Sequence, residues 1–418
     1  MSLALVTLGS LGDVHPLLGV GRAMFERGHQ VTLFTNAVFE DLVRAQGLEF
    51  VAVGTPEQQY QTINHPKLWH PVDGLGVMWR YMLRPALWPT VQALHAWHQQ
   101  VDTGDRLLVV ANPVAFGARL AAEAWGLKLV STYTAPTILR TSLPPMRLAQ
   151  WQLPAAVPGW VPRLAWAVLD RFKLQPLVLP ALNALRIQLG LPLITESVFG
   201  AWMHAPMGGL TLFPPWFAES ASDWPTQVKQ GHFPLFDDGV PLDADLLAFL
   251  DQGTPPVVVM PGTAQKNGAA LFRAAAHALS ALGLRGVLLG NVPTDVLAHA
   301  VVADLWCGAH QSFAQLLPRS SAVLHHAGVG SSAQALRAGI PQLLWPQAYD
   351  QFDNAYRLKR LGVAACLSGD TPEKGMERDL ARLMASDATF RAKTVAAEYM
   401  QHTQQNLVDM CILLESWA

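Results

Sequence analysis

Near the end of the chain, Leu324 to Ala355 reads LHHAGVGSSAQALRAGIPQLLWPQAYDQFDNA, and its residue types suit the binding of an anion. The apolar run SAVL ends in two histidines and a loop holding Gly328 and Gly330. Ser331 and Ser332 then stand where hydroxyls cap a helix, and Gly339 with Pro341 ends it. Glycines in such a loop clear side chains from the place where backbone N–H groups meet a ligand. The N-terminal end of a helix dipole favours negative charge there. His326 adds a donor, so a diphosphate is the natural occupant. The plainer alternative is a tight strand–helix turn beside a satisfied histidine. After the next apolar run, QLLWP, Asp350 and Gln351 emerge at the same edge. Their donors and acceptors suit sugar hydroxyls, although the pair alone reads equally well as a solvated turn.

A second candidate lies in GSLGDVHP, near the N-terminus. Asp13 is either a general base or a helix N-terminal aspartate stabilised by the macrodipole, and His15 ranks below it. The loop has Gly9 and Gly12 but no complete G-x-G-x-x-G. The next strand ends on Thr35-Asn36, where a ribose-binding acid would stand, which argues against a dinucleotide cofactor. Cys307, Cys366 and Cys411 sit far apart in no metal-ligand spacing, and no acidic metal-binding motif stands out, so no metal site is expected.

These residues need elements to hold them. LALVTLG, HQVTLFTN and LEFVAV read as strands, separated by the helices HPLLGVGRAMFERG and AVFEDLVRAQG. With right-handed crossovers this is a parallel βαβαβ sheet, which DRLLVVAN, VAFGARLAAEAWG and LKLVSTY continue. Later PVVVMPG, GAALFRAAAHALSALG, RGVLLG, SAVLHH, SAQALRAG and QLLWP repeat the pattern. Between the halves lies a stretch rich in Trp and Pro; eleven of the 14 tryptophans precede residue 230. Most of it reads as core. WRYMLRPALWPTVQALHAW, however, is broken by Pro85 and Pro89 and mixes aromatics with aliphatics, as the lining of an apolar acceptor pocket would.

The expectation is an α/β protein of two doubly wound, Rossmann-like domains facing each other across a cleft, because 418 residues exceed one comfortable core. Residues 1–218 form the first domain, 219–242 a linker and 243–400 the second, with a helix at about 400–418 packing back on the first. A net charge of -2 gives no nucleic-acid footprint. SVFGAWMHAPMGGLTLFPPWFA, a long uncharged stretch, is too rich in Pro and Gly to span a bilayer. The start lacks the basic n-region of a signal peptide. A cytoplasmic protein is expected, with peripheral attachment to the inner membrane left open and oligomeric state unread.

HHAGVGSS…AGIPQLLWPQAYDQFDNA resembles the donor-binding signature of the UGT-like glycosyltransferases of GT-B fold, and GSLGDVHPLLGVGRAMFERGHQVTLFT resembles the start of their acceptor domain. More narrowly, KLWHPVDGLGVMW, FKLQPLVLPALNALR and WMHAPMGGLTLFPPWFAESASDWP…GHFPLFDDG are similar to the bacterial rhamnosyltransferases of rhamnolipid synthesis. The resemblance implies that His326 contacts the donor diphosphate, with Gly328, Gly330, Ser331 and Ser332 in the phosphate turn and Gly262 and Thr263 adding a further phosphate contact. It implies that Asp350 and Gln351 hold the sugar, with Asn354 in the same pattern, and that Asp13 is the general base. The family's nucleobase segment reads His310-Gln311-Ser312-Phe313 here, a departure that leaves His310 and Phe313 as its aromatic members.

The function so implied is an inverting, metal-independent transfer of L-rhamnose from dTDP-L-rhamnose to the hydroxyl of a 3-hydroxyalkanoyl lipid, with no cofactor beyond that co-substrate. Three alternatives stay open. They are a UDP-glucose-dependent enzyme acting on another hydrophobic alcohol, a sugar-nucleotide epimerase, and a non-catalytic lipid or nucleotide carrier.

Overall fold

A computed structural model gives the fold and describes every residue except 71–72, 102–103, 144–146, 149–150, 153–156, 238, 263–267, 301 and 369–370. The chain forms two compact units, Met1–Pro234 with Gln404–Ala418, and Leu235–Thr403.

In the first unit the strands are β1 (Ser2–Val6), β2 (Gln30–Asn36), β3 (Glu49–Gly54), β4 (Leu107–Ala111), β5 (Leu129–Tyr133), a short antiparallel pair β6 (Arg147–Leu148) and β7 (Trp151–Gln152), then β8 (Gly208–Thr211) and β9 (Val228–Lys229). Seven of them make one sheet in the order β3-β2-β1-β4-β5-β8-β9. Every pairing in it is parallel. Helices cover both faces of such a sheet, and β1 and β5 are accordingly buried at every residue. The strand order reverses between β1 and β4, and ligands of doubly wound sheets gather beyond the carboxyl ends at that point. β8 and β9 are not anticipated by the sequence analysis: GGLT carries two glycines, and β9 is two residues long.

The prolines of the Trp-rich stretch do not break its helices. Gly74–Met78 runs through a π turn, Trp79–Leu83, into Arg84–Gln100. Trp160–Leu169 runs through another, Asp170–Leu174, into Gln175–Gln188. In each case the turn closes one residue ahead of a proline: the N–H of Arg84 donates to the carbonyl of Trp79, and that of Gln175 to Asp170. The wider turn gives Pro85 and Pro176 room against the preceding carbonyls, the clash that otherwise kinks a helix. In the first of these helices Trp79, Met82, Leu83, Leu87, Val91, Leu94 and Trp97 are buried in the unit's core, while Trp88 is exposed. Trp97 meets Phe34 edge-on at 6.2 Å, and Trp79 lies 6.1 Å from Phe116.

The C-terminal helix Thr403–Trp417 belongs to this unit for all but its first residue. Glu415 accepts two hydrogen bonds from Arg27 at 2.7 and 2.8 Å, and His29 Nε2 lies 2.8 Å away. Arg27 first, then His29, pulls the Glu415 carboxyl down to about 2.

The second unit has β10 (Val257–Met260), β11 (Gly286–Leu289), β12 (Leu305–Gly308), β13 (Ala322–His325), β14 (Gln342–Leu344) and β15 (Ala364–Cys366). They form a parallel sheet in the order β12-β11-β10-β13-β14-β15, which reverses between β10 and β13. The edge strands β12 and β15 are additions to the sequence reading. Among the described residues no helix is long and apolar enough to cross a membrane.

Close packing in the first unit yields a test. A Cβ on Gly117 would lie 2.6 Å from both the carbonyl oxygen of Leu87 and Cβ of Thr90, so Phe116–Trp125 packs backbone-close on Arg84–Gln100. Gly117→Val should therefore cost about 1–3 kcal/mol, the usual range for overpacking. Chemical denaturation measures it, and an unchanged midpoint would show that the two helices can part freely.

Candidate functional site

Each unit gathers polar groups where its strand order reverses. In the second unit the chain leaves β10 through Gly262 and β13 through His326, on neighbouring strands. Gly262 has φ +100, and a Cβ there would lie 2.8 Å from both Cε1 and Nδ1 of His326. A Cβ on Gly328 would overlap Nε2 of the same ring. The imidazole is thus seated between two bare Cα atoms, and its buried Nδ1 has no hydrogen-bond partner. Burial pushes the His326 pKa down to about 4, so the ring is neutral near pH 7 and has one N–H to donate.

The following helix begins earlier than its serines suggest. It spans Val329–Ala338 with Gly328 as N-cap, and no side chain caps it. Ser331 and Ser332 lie in its first turn, and the Ser332 hydroxyl donates back to the carbonyl of Gly328 at 2.9 Å. The first amides of a helix have no intrahelical acceptor. Here no side chain takes their place, and a Cβ on Gly330 would meet no atom within 4 Å. This is an anion-binding geometry.

His325, which the sequence analysis assigned no role, holds the turn from below. Its fully buried ring accepts the Ala327 N–H at Nδ1, 3.2 Å, so the proton sits on Nε2 and donates to Gln342 Oε1 at 2.9 Å. Ala327 itself has φ +65, unusual for a residue with a side chain. Asn354 Nδ2 donates to its carbonyl at 3.0 Å and to Asp350 Oδ2 at 2.7 Å, while the buried Asn354 Oδ1 is unpartnered. Asp350 is the N-cap of Gln351–Arg360. Gln351 is buried, and its Oε1 accepts the N–H groups of Gln347 and Ala348 at 2.7 and 3.2 Å, which shapes the loop under Asp350. A signal for His325 was present in the sequence: the residue before His326 ends a buried strand and must point to the opposite side.

Beyond β12, Gln311 and Ser312 are buried and bind Asp243 and Asp237, at 2.7 and 3.0 Å. His310 is exposed and meets Phe313 edge-on, with centroids 4.8 Å apart. Two residues beyond Asp243, Asp245 accepts the Trp306 Nε1–H at 3.1 Å. No group of acidic, histidine and cysteine side chains suited to a metal occurs among the described residues. Thr263 lies outside the described residues.

In the first unit Asp13 occupies the third position of Leu11–Glu26 and completes a capping box with Ser10. Its Oδ2 accepts the Ser10 N–H at 2.9 Å and the Ser10 hydroxyl at 3.4 Å, and Asn112 Nδ2 reaches its Oδ1 at 3.5 Å. Asn112 follows β4, so the carboxylate sits at the β1–β4 reversal. Burial pushes its pKa up to about 6 against the opposing pull of the Ser10 bonds. A Cβ on Gly9 would overlap the carboxylate. Gln59 Nε2 donates to the Gly9 carbonyl at 3.1 Å, and its buried Oε1 has no partner. His15 is partly buried two residues on.

Buried His325 and half-buried His326 make stability depend on pH. Burial holds His325 at about 3 and His326 at about 4, both below the ordinary 6.5. Their contribution is therefore complete above about pH 6.5 and is lost as pH falls through 4 and 3, because the unfolded chain takes up those protons first. His325→Ala should lower the unfolding midpoint at neutral pH, leaving Gln342 Oε1 and the Ala327 N–H unpaired at about 1–3 kcal/mol each. It should also flatten the acid decline. Thermal melts from pH 7.5 down to about 3.5 test both effects, and an unaltered acid slope refutes the assignment.

Comparison with known proteins follows the same division. Residues 3–142 match the glycosyltransferase family 28 N-terminal domain, and residues 295–413 match the erythromycin biosynthesis protein CIII-like C-terminal domain. The chain is 29% identical to O-mycaminosyltylonolide 6-deoxyallosyltransferase of Streptomyces fradiae, covering 100% of this chain and 98% of the relative. In solved structures it superposes on the glycotransferase of kitacinnamycin with a TM-score of 0.69 at 19% identity, covering 100% of this chain and 98% of the other. It superposes on the spinosyn rhamnosyltransferase SpnG complexed with thymidine diphosphate with a TM-score of 0.63 at 18% identity, covering 96% of each. With a family match at either end and full-length glycosyltransferase relatives, the chain is a nucleotide-sugar-dependent glycosyltransferase of GT-B fold, similar in its two ends to the family 28 and erythromycin CIII-like enzymes.

Proposed function

We propose that the enzyme transfers L-rhamnose from dTDP-L-rhamnose to the hydroxyl of a hydrophobic, lipid-like acceptor with inversion. The observation that carries the donor half is the glycine-seated His326 ring beside an uncapped helix N-terminus. The amides of Val329 and Gly330 and one imidazole N–H meet the departing diphosphate, supplying the charge stabilisation that would otherwise fall to a metal. Asp350 binds sugar hydroxyls. Gln351 holds the loop that presents Asp350, and Asn354 orients its carboxylate. Exposed His310 and half-buried Phe313 offer an aromatic pair for the base to stack against.

Asp13 takes the proton from the acceptor hydroxyl as that oxygen attacks the anomeric carbon. A carboxylate with a pKa near 6 is ionised at neutral pH, yet more basic than an exposed aspartate. Holding the acceptor and donor in line supplies the rest of the rate.

A deoxyhexosyl donor is supported by the relatives: one is named a 6-deoxyallosyltransferase, and another is a rhamnosyltransferase bound to thymidine diphosphate. The sugar's methyl group needs an apolar contact. Trp345 is buried in the core of the second unit and is not free to give it. Pro346 and Tyr349, in the loop before Asp350, are the apolar side chains nearest in sequence, and Tyr349 is exposed in a left-handed backbone conformation.

Asp13→Asn keeps the capping acceptor, so the fold and nucleotide affinity should survive while kcat drops about 10²–10⁴-fold. Wild-type kcat/KM should rise with pH through about 6, as Asp13 ionises, and the variant should lack that limb. Turnover within a few-fold of wild type would leave Asp13 as a capping residue only.

The donor is decided by kcat/KM for dTDP-L-rhamnose, dTDP-glucose and UDP-glucose with a 3-hydroxyalkanoyl lipid. Rhamnose should lead by about 10–200-fold, since an apolar contact rejects an added hydroxyl only weakly. Preference for UDP-glucose would remove the rhamnosyl reading and keep the transferase.

A further inference from the structure

The helix running from Trp160 to Gln188 turns an apolar face to solvent. Trp160 is 63% exposed, Leu164 54%, Val168 48% and Phe172 75%. These positions are four apart, so they line one side of the helix. The stripe continues past the π turn to Ile187, 68% exposed. Isolated apolar residues on a surface are ordinary, but a continuous row is not.

The charges on this face have one sign. Arg163, Arg171 and Lys173 are exposed among the apolar side chains. The stretch 160–188 holds a single acid, Asp170, and it is turned inward. There it accepts from Arg140 at 2.8 Å and from the Ser197 hydroxyl at 2.6 Å. Arg186, the remaining base, is buried against Glu123. No carboxylate of the helix therefore balances the outward cations. Lys173 lies within range of another, Asp73, which is already paired with Lys67 at 3.3 Å.

We propose that this face docks on the surface of a bilayer carrying anionic lipids. A helix with Trp, Leu and Phe beside Arg and Lys lies in the interface plane, its apolar side among the acyl chains and its cations at the headgroups. A terminal tryptophan suits the headgroup level. Self-association fits less well: two-fold pairing would set the cations of both copies together with no carboxylate between them, a repulsion that anionic headgroups reverse. The inference does not depend on which sugar is transferred. It adds to a lipid-like acceptor a means of meeting that acceptor at its source.

Flotation of the full chain with vesicles of phosphatidylcholine, with and without phosphatidylglycerol, tests it. The wild type should float with the anionic vesicles, less with neutral ones, and less as salt rises. Leu164→Glu with Phe172→Glu should abolish binding to both. Arg163→Gln with Arg171→Gln should lose about thirty-fold in partition to anionic vesicles and keep the weak binding to neutral ones. All four side chains are exposed and outside the proposed catalytic machinery, so unfolding midpoints and turnover of a water-soluble acceptor should not change. Those readouts separate failure of docking from failure of the transferase reading. Wild type that stays unbound with anionic vesicles overturns the proposal, as do variants that float like wild type. A dimer in sedimentation velocity that the Glu pair dissolves, without vesicle binding, would assign the face to a second copy of the chain instead.

Discussion

Ala327 is held at both ends of its backbone, by His325 at the amide and by Asn354 at the carbonyl. A residue with a Cβ does not rest at φ +65 unless its surroundings compel it, and these two bonds do so. Everything at this sheet edge depends on that constraint. It turns the chain out of β13 so that His326 falls between Gly262 and Gly328, and it starts the next helix at Val329 with no side chain over its amides. The same Asn354 amide group grips Asp350, so the turn after β13 and the start of the helix Gln351–Arg360 are set by one side chain.

The first unit solves a comparable problem with a capping box. Asp13 both closes the helix start and stands at the β1–β4 reversal. The Ser10 bonds that fix its position also stabilise its charged form, while burial opposes them and raises the pKa. A carboxylate fixed by two donors cannot swing away, and one raised to about 6 still ionises at neutral pH. The absence of a side chain at Gly9 and the bond from Gln59 to the Gly9 carbonyl keep the space for it.

The long helices show how the chain tolerates proline without losing length. Each π turn shifts one bond from the fourth to the fifth residue just ahead of a proline ring, so the helix passes the obstacle unbroken. In Trp160–Gln188 this continuity extends the outward apolar row beyond the ring. In Gly74–Gln100 the same device serves the interior, carrying Trp79 and Trp97 into the core.

Much was legible from residue order. Alternation of short apolar runs with capped amphipathic stretches determined two parallel α/β sheets, and the glycines at the exits of β10 and β13 stand against the His326 ring. Edge strands such as β9 and β12 were not legible, because two to four residues carry no period of their own and are strands only when a neighbour supplies the hydrogen bonds. Tertiary structure alone decided which tryptophans are core, that Trp345 is buried while Tyr349 is exposed, and that His325 supports while His326 faces the site. It also decided that Gly328, and not a serine, begins the helix, since the pull of Asn354 and His325 on Ala327 comes from residues distant in the chain or on the opposite side of the strand. Local sequence determines which groups are available and with what period. Only packing determines which are desolvated and which keep an unpaired atom, and that makes a half-buried aspartate basic and a histidine neutral.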